Sequence, residues 1–234
     1  MTILFKADPV VGGADPWREA LAKRLPDIPF RATPDIGDPA EIEFVLCFQA
    51  EPGTFRGMTN LKAILATGAG VDGLFRDPEL PDVPMARIVD PWMADQMVGW
   101  TTYAVQHFYR RFGEYAALQA KGEWRELEPW QGAPPKAGIL GFGEIGARIG
   151  EALVGDGFEV AAWTRGPRDI GRGVTHYHGA DGLHAMLERS HFVICMLPLT
   201  DATAGILDAA AFKAMPKPGY LINLARGRHV VTDD

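Results

Sequence analysis

The sequence predicts an α/β protein with two doubly wound parallel sheets. Short apolar runs of strand length alternate with helical or loop segments along the 234 residues. One of these runs, residues 136–140, passes through a glycine-rich turn directly into a helical pattern. An irregular stretch with tryptophans and prolines, residues 122–135, separates two such alternating series. Together these observations indicate two sheets, each covered by helices.

The first domain is predicted to span residues 1–99. Four strands are expected, at residues 2–7, 43–48, 61–66 and 85–89. An amphipathic helix is expected at residues 17–25, before Pro26. Asp90 and Pro91 have the residue types of an N-cap and a first helical position, so a long helix should begin there. Its methionines and aromatic residues recur at helical spacing, which indicates core or interface packing, and the domain boundary is predicted on this helix.

The second domain is predicted to span residues 100–234. Its strands are expected at residues 136–140, 158–163, 191–196 and 220–224. Its helices are expected after the glycine-rich turn and at residues 181–188, 202–207 and 209–215. This alternation is typical of a doubly wound nucleotide-binding domain.

Composition and charge exclude several classes of protein. The formal net charge of -7, with no run of lysine or arginine, argues against a nucleic-acid-binding surface. No apolar stretch approaches transmembrane length and the N-terminus lacks the features of a signal peptide, so no membrane contact is expected. Cys47 and Cys195 lie in separate apolar runs, which predicts buried reduced thiols, no metal site and a cytoplasmic protein.

The glycine-rich turn has the spacing of a dinucleotide-binding loop. Gly141 would allow the tight turn, Gly143 would let the backbone approach a pyrophosphate, and Gly146 would allow close packing of helix and strand. The start of the following helix offers N–H groups and partial positive charge to phosphate. The residues expected to contact the dinucleotide are Gly141, Phe142, Gly143, Glu144, Ile145 and Gly146.

A second glycine-rich stretch, residues 68–73, follows the strand at residues 61–66. Pro78, Pro81 and Pro84 prevent a long helix after it, which disfavours a second dinucleotide site. A short helix start can still present backbone N–H groups to a small anion such as a carboxylate. An ordinary strand-to-helix turn is the alternative, and the residues alone leave both open.

The end of the second nucleotide-domain strand indicates which nicotinamide cofactor binds. NAD-binding domains usually place an acidic residue there, about 20 residues beyond the glycines, to bond the ribose 2′-hydroxyl. This chain instead has Thr164, Arg165 and Arg168. Arginine stays charged and bonds phosphate bidentately, so Arg165, helped by Thr164 and Arg168, predicts NADP(H) in preference to NAD(H). A solvated surface turn is the alternative.

Three further motifs occur in the C-terminal part of the chain. They are Leu197-Pro198-Leu199-Thr200, Thr203-Ala204-Gly205 and Asn223-Leu224-Ala225-Arg226-Gly227. With the glycine turn and the stretch ATGAGVD at residues 66–72, they resemble the D-isomer-specific 2-hydroxyacid dehydrogenases, and most closely the glyoxylate/hydroxypyruvate reductase branch. The resemblance implies a flavodoxin-like substrate domain and a Rossmann NADP-binding domain.

The resemblance also implies roles for individual residues. Arg226 corresponds to the catalytic arginine, which holds the 2-keto acid and polarises its carbonyl while a hydride arrives. The backbone of Ala69, Gly70 and Val71 is expected to bind the substrate carboxylate. The residues expected beside the cofactor are Leu197, Pro198, Thr203 and Ala225. The implied activity is NADPH-dependent reduction of a small 2-keto acid, glyoxylate or hydroxypyruvate, by a homodimer.

The family's proton-donating histidine and its glutamate partner belong to motifs that follow the arginine, and neither motif occurs in this sequence. We therefore expect the C-terminal part of the nucleotide domain to be absent and the 234-residue chain to have little or no reductase activity. His229 does not follow a proline and the other histidines show no glutamate partner, so none is expected to replace the acid. Two alternatives stay open: a non-catalytic NADP-binding or interaction module, and another D-2-hydroxyacid dehydrogenase.

Overall fold

The computed structural model describes residues 1–6, 8, 12–128, 130, 134–171 and 173–233. The chain folds into two compact units, Met1–Asp90 and Pro91–Asp234. Each unit contains a five-stranded sheet in which all neighbouring strands are parallel. The predicted α/β class with two doubly wound sheets is therefore confirmed.

The first unit has the strand order β2-β1-β3-β4-β5, which is the flavodoxin-like order. Its strands are β1 Ile3–Lys6, β2 Phe30–Ala32, β3 Phe44–Cys47, β4 Ala63–Ala66 and β5 Met85–Arg87. Helix α1 spans Asp15–Ala22, and short 3-10 helices span Pro39–Glu41 and Leu74–Arg76. The four predicted strands are present, although residue 7 lies outside the described residues. The sequence missed β2, whose three residues are all only half-buried.

Alternate residues of β1 supply the two faces of this sheet, because successive strand side chains point to opposite sides. Leu4 packs with Val45 on one face. Ile3 and Phe5 pack with Leu46 on the other. Both faces are therefore apolar, as expected for a parallel sheet covered on both sides.

The second unit has the strand order β10-β9-β6-β7-β8. Its strands are β6 Lys136–Leu140, β7 Glu159–Thr164, β8 Val174–His178, β9 Phe192–Cys195 and β10 Tyr220–Asn223. Its helices are α2 Pro91–Tyr109, α3 Phe112–Ala120, α4 Glu144–Gly155, α5 Gly179–Arg189 and α6 Ala209–Ala214, with a 3-10 helix at Gly227–His229. The strand order reverses between β6 and β9, and doubly wound sheets bind ligands at the carboxyl ends of the strands at such a point.

Two helical layers cover this sheet. Ile139 packs with Ile149 and Leu153 of α4 on one face. Leu140 packs with Met186 and Leu187 of α5 on the other face. The glycine turn therefore leads out of a strand that is buried on both sides.

Helix α2 belongs to the second unit throughout. Its buried residues Ala104 and Val105 join the core cluster of α4 and β6, whereas the sequence placed the domain boundary at residues 99 and 100, inside this helix. The packing of α2 against α4 and β10 places the division before Pro91 instead. The helix ends at Tyr109, because Arg111 adopts a left-handed conformation with φ 58° before α3 begins.

The helix expected at residues 202–207 is absent, and this prediction is wrong. Gly205 has a positive φ of 64°. The N–H groups of Gly205 and Leu207 bond to the carbonyls of Arg228 and His229, each at 2.9 Å. This segment pairs with a distant part of the chain instead of forming its own helical bonds. The sequence also missed β8, whose residues Val174–His178 form a partly exposed edge strand.

Cys47 and Cys195 are both free and buried, as predicted. Burial raises the pKa of the Cys47 thiol to about 11 and raises that of Cys195. Among the described residues, no helix has both the length and the apolar content needed to span a membrane.

Candidate active site

The glycine turn after β6 has the geometry predicted for its three glycines. Gly141 has φ 91°, a conformation that side chains rarely adopt. A Cβ at Gly146 would lie 2.2 Å from the carbonyl oxygen of Gly141, so the helix packs directly on the turn. A Cβ at Gly143 would meet no atom of the described chain within 4 Å. The turn therefore has one open position, at the glycine where backbone approach to a pyrophosphate was predicted.

Helix α4 begins beside this open position. Gly143 is its N-cap, and within the described residues no side chain caps the helix. The first backbone bond back to the cap runs from Ala147 N to Gly143 O at 2.9 Å. The preceding N–H groups are therefore left to an external acceptor, and together with the helix dipole they suit a pyrophosphate. The glycine turn and the start of α4 therefore fit the pyrophosphate of a dinucleotide.

The other residues of the turn have different surroundings. The Phe142 side chain is 6% exposed, and its ring lies beneath Gly150, where a Cβ would approach it to 2.8 Å. Only the Phe142 backbone can border a ligand. Glu144 is exposed and Ile145 is half-buried at the start of the helix.

The end of β7 presents two arginines. Arg165 and Arg168 are both exposed. Thr164 is buried, and its hydroxyl donates to Gly166 O at 2.7 Å and also lies 2.7 Å from His176 Nε2. The Thr164 hydroxyl thus orders the turn that carries the arginines and has internal partners of its own.

The loop after β9 is held by Thr203. Its hydroxyl donates to Pro198 O at 2.6 Å and accepts from Thr200 N at 2.9 Å. Leu197 is buried, whereas Pro198 is exposed. The Thr203 side chain therefore shapes the Leu197–Thr203 loop, hereafter the proline loop.

Arg226 lies in the turn after β10 and is half-buried. Its Nη1 donates to Ala225 O at 3.2 Å. Asn223 orders the turn, because its Nδ2 donates to Arg226 O at 3.0 Å and its Oδ1 accepts from Ala225 N at 3.1 Å. His229 is completely buried, and its ring lies between the Arg226 turn and the proline loop. From the sequence, His229 was assessed only as a proton donor, and its buried position between the two loops was not predicted.

The glycine loop of the first unit follows β4. In the described part of the chain, no hydrogen bond uses the N–H of Ala69, Gly70 or Val71. A Cβ at Gly68 would lie 2.4 Å from the Phe48 ring, so the loop lies flat against that side chain. Only a 3-10 helix, Leu74–Arg76, follows, as the prolines predicted. The three N–H groups are therefore available to a small anion.

The histidines include one pair that the sequence did not reveal. His184 Nδ1 lies 3.5 Å from Glu188 Oε1, one turn apart on α5. Both side chains are more than half exposed, 64% and 59%. The expectation that no histidine has a glutamate partner is therefore wrong, although this pair lies on the solvent-facing side of a helix.

Comparison with known proteins decides the family. The sequence profile described as "D-isomer specific 2-hydroxyacid dehydrogenase, NAD binding domain" matches residues 103–234. The chain belongs to the D-isomer specific 2-hydroxyacid dehydrogenase family. The predicted resemblance is confirmed, and this is a family of enzymes.

Named relatives locate the chain within the dehydrogenase family. Glyoxylate/hydroxypyruvate reductase A of Serratia proteamaculans is 37% identical over 227 residues, which cover 94% of this chain and 72% of that protein. The protein of the same name from Photorhabdus laumondii is 34% identical over 224 residues, covering 93% and 71%. This dehydrogenase thus belongs to the glyoxylate/hydroxypyruvate reductase branch.

Solved structures of other dehydrogenases of the family have the same fold. One from Xanthobacter autotrophicus Py2, in complex with NADPH and MES, matches with a TM-score of 0.88 at 32% identity, covering 98% of this chain and 74% of that one. The NADPH-dependent glyoxylate/hydroxypyruvate reductase of Sinorhizobium meliloti, in complex with NADP and sulfate, matches with a TM-score of 0.86 at 32% identity, covering 100% and 75%.

The predicted site residues of this dehydrogenase fall into two groups. The glycine turn, the Arg165 turn, the proline loop and the Arg226 turn follow β6, β7, β9 and β10. They share one edge of the second sheet, because the carboxyl ends of parallel strands lie on the same side. The loop at residues 69–71 follows β4 of the first unit. Their contacts with cofactor and substrate stay predictions.

Proposed function

We propose that this chain belongs to an NADPH-dependent reductase that converts glyoxylate or hydroxypyruvate to the corresponding 2-hydroxy acid, and that the 234 residues, which lack the family's histidine and glutamate motifs, have little or no activity by themselves. The observation that carries the proposal is the glycine turn, with its open Gly143 and uncapped helix, next to a strand end that bears arginines and no acid. The names of the relatives from Serratia and Sinorhizobium support the substrate class.

The preference for NADPH rests on the end of β7. Arg165 and Arg168 are exposed there, and the first acidic residue after them is Asp169, whose Oδ1 already accepts from Gly171 N at 3.0 Å. An exposed guanidinium can bond a 2′-phosphate bidentately, whereas NAD offers only a hydroxyl at that point. The NADP complexes of two similar dehydrogenases agree with this choice.

The reaction needs two electrostatic contacts from the protein. When bound, NADPH supplies a hydride to the carbonyl carbon of the keto acid. Arg226 stabilises the negative charge that develops on the carbonyl oxygen. The N–H groups of residues 69–71 bind the substrate carboxylate. The proton that completes the new hydroxyl would come from the family's histidine, whose motif does not occur in this sequence. His229 does not supply it, because it is buried and both of its ring nitrogens face backbone groups.

Cofactor titration and turnover test this function separately. We expect NADPH to bind at least about tenfold more tightly than NADH, which corresponds to about 1.4 kcal/mol. Oxidation of NADPH should be measured with glyoxylate, hydroxypyruvate and pyruvate, using Arg226→Lys as the matched variant that keeps the charge but loses the planar fork. Tighter binding of NADH would refute the cofactor choice. The 234-residue chain is expected to have little or no turnover, so the assay is decisive in a protein that also carries the family's histidine and glutamate motifs. In that protein, NADPH binding without turnover of any keto acid would favour the non-catalytic NADP-binding module.

We also propose that the protein forms a homodimer and is cytoplasmic. Trp92, Trp100 and Tyr103 of α2 are 69%, 67% and 60% exposed, and so many large exposed aromatic side chains on one helix favour an interface. The two buried free thiols support a reducing compartment. Light scattering after size-exclusion chromatography tests the first proposal, and a monomer at all concentrations would contradict it.

A further inference from the structure

We propose that His229 is a positioning residue that holds the catalytic Arg226 turn in register with the proline loop beside the cofactor. The inference rests on the proposed function. His229 is completely buried, although histidine is a polar residue. It lies in the 3-10 helix that follows Arg226, and its ring reaches a loop that is 31 residues away in the chain.

The two ring nitrogens of His229 contact the two loops separately. Nδ1 lies 3.2 Å from Arg226 N, and Nε2 lies 3.3 Å from Pro198 O. In the tautomer that carries the proton on Nε2, the ring donates to Pro198 O and Nδ1 accepts from the Arg226 N–H. Arg226 O lies 2.9 Å from Nδ1 and accepts hydrogen bonds from Asn223 Nδ2 at 3.0 Å and from His229 N at 3.1 Å. This tautomer gives each ring nitrogen one backbone partner.

His229 thereby links two hydrogen-bond networks. Pro198 O also accepts from the Thr203 hydroxyl, which orders the proline loop. Asn223 orders the Arg226 turn from the other side. Two loops from different strand ends are therefore linked through one ring.

Backbone bonds hold the two segments on either side of these loops, and before the loops Leu224 N bonds to Cys195 O at 3.2 Å. Gly205 N bonds to Arg228 O, and Leu207 N bonds to His229 O, so the two segments run side by side. These bonds lie beyond the proline loop and do not include Arg226. Leu197 and Ala225 belong to one apolar cluster, and the His229 ring adds hydrogen-bonding contacts between the two loops.

Hydride transfer requires the keto acid and the nicotinamide to be aligned within a fraction of an ångström, and misplacement by about 1 Å can lower rates about 100-fold. The guanidinium of Arg226 would hold the keto acid, while the proline loop would border the cofactor. A rigid link between these loops would fix their separation.

Three substitutions separate the two contacts of the ring. His229→Ala removes both contacts. The amide nitrogen of His229→Gln can take the place of Nε2 and donate to Pro198 O. The amide oxygen of His229→Asn can take the place of Nδ1 and accept from Arg226 N. His184→Gln, on the exposed side of α5, is the control.

Two dissociation constants and a melting temperature are measured for each variant. The dissociation constant of NADPH reports on the position of the proline loop. The dissociation constant of oxamate, an unreactive keto-acid analogue, from the NADPH-loaded protein reports on the position of Arg226. We expect His229→Ala to weaken oxamate about tenfold and NADPH about threefold, as the loss of one hydrogen bond each would do. His229→Gln should restore NADPH affinity alone, and His229→Asn should restore oxamate affinity alone.

The outcomes are distinct. If both affinities fall in all three variants in proportion to the decrease in melting temperature, His229 is merely structural and the inference is overturned. Unchanged constants in His229→Ala overturn it as well, while the proposed function stands. If the wild-type protein does not bind NADPH, the proposed function fails and the inference fails with it. Should His229→Ala not fold, the Gln and Asn variants carry the test through their opposite patterns.

Discussion

Two alanine substitutions within one turn should have opposite effects on stability and cofactor binding. A Cβ at Gly146 would lie 2.2 Å from the Gly141 carbonyl oxygen, a backbone atom that cannot turn aside. Gly143 has an extended backbone with φ -84° and open space where a side chain would begin. Gly146→Ala therefore disturbs the fold itself, whereas Gly143→Ala disturbs only the approach of a ligand.

The magnitudes follow from these distances. The Gly146 contact must lengthen by about 1 Å to reach normal packing, and overpacking of this kind costs about 1–3 kcal/mol. The better helix propensity of alanine offsets about 1 kcal/mol of this. In Gly143→Ala, alanine is a slightly poorer N-cap residue than glycine, which destabilises the fold, but it also lowers the entropy of the unfolded chain, which stabilises the fold. These two contributions to the free energy of unfolding are each below about 1 kcal/mol and nearly cancel. A methyl group between the Gly143 backbone and a pyrophosphate should weaken NADPH binding by at least about tenfold.

Urea unfolding without cofactor and NADPH titration measure the two effects independently. We expect Gly143→Ala to unfold at the wild-type urea concentration and to bind NADPH poorly. Gly146→Ala should unfold at a lower urea concentration than the wild type. Wild-type NADPH affinity in Gly143→Ala would refute the assignment of the open position to the pyrophosphate. Wild-type stability in Gly146→Ala would refute the close packing of α4 on the turn.

Three further changes have defined outcomes. Arg165→Ala should raise the NADPH dissociation constant about tenfold and leave that of NADH within about twofold, because a hydrogen bond to a charged group contributes about 1.5–3 kcal/mol; equal losses in fluorescence titrations would argue against a 2′-phosphate contact. Asp208→Ala removes the oxygen that accepts from Ala211 N at 2.9 Å at the start of α6, and calorimetry should show a loss of about 1 kcal/mol that Asp208→Asn avoids. Burial raises the pKa of Cys47 from its ordinary 9.0 to about 11, so its stabilising effect is complete below pH 9 and is lost as the pH rises through 11. Over that range the unfolding free energy should fall by about 2–3 kcal/mol more in the wild type than in Cys47→Ala, and parallel decline of both proteins would contradict this cause.

Much of the fold was readable from local patterns. Every predicted strand is present. Most of them appear as short apolar runs because parallel strands are buried on both faces, whereas β5 is an exposed edge strand. The strands that were missed, β2 and β8, lie at sheet edges and carry partly exposed side chains. The edge strands β5 and β10 were nevertheless predicted, so the omissions follow from the residues of β2 and β8, which do not form a continuous apolar run.

The errors arise where distant segments pair. Residues 202–207 have helix-forming alanines, yet Gly205 and Leu207 bond to the backbone around His229. Helix α2 has no break near residue 100, and its assignment to the second unit follows from what Ala104 and Val105 touch. Helix propensity contributes little per residue, so tertiary hydrogen bonds and packing override it.

The sequence by itself determined the spacing of Gly141, Gly143 and Gly146 and the arginines after β7. Each depends on the backbone or charge of residues close together in the chain, so local chemistry suffices to interpret it. Only the tertiary structure decided that His229 lies between Pro198 and the Arg226 turn. Burial and the partners of a ring nitrogen depend on segments brought together by folding, and no local pattern records them.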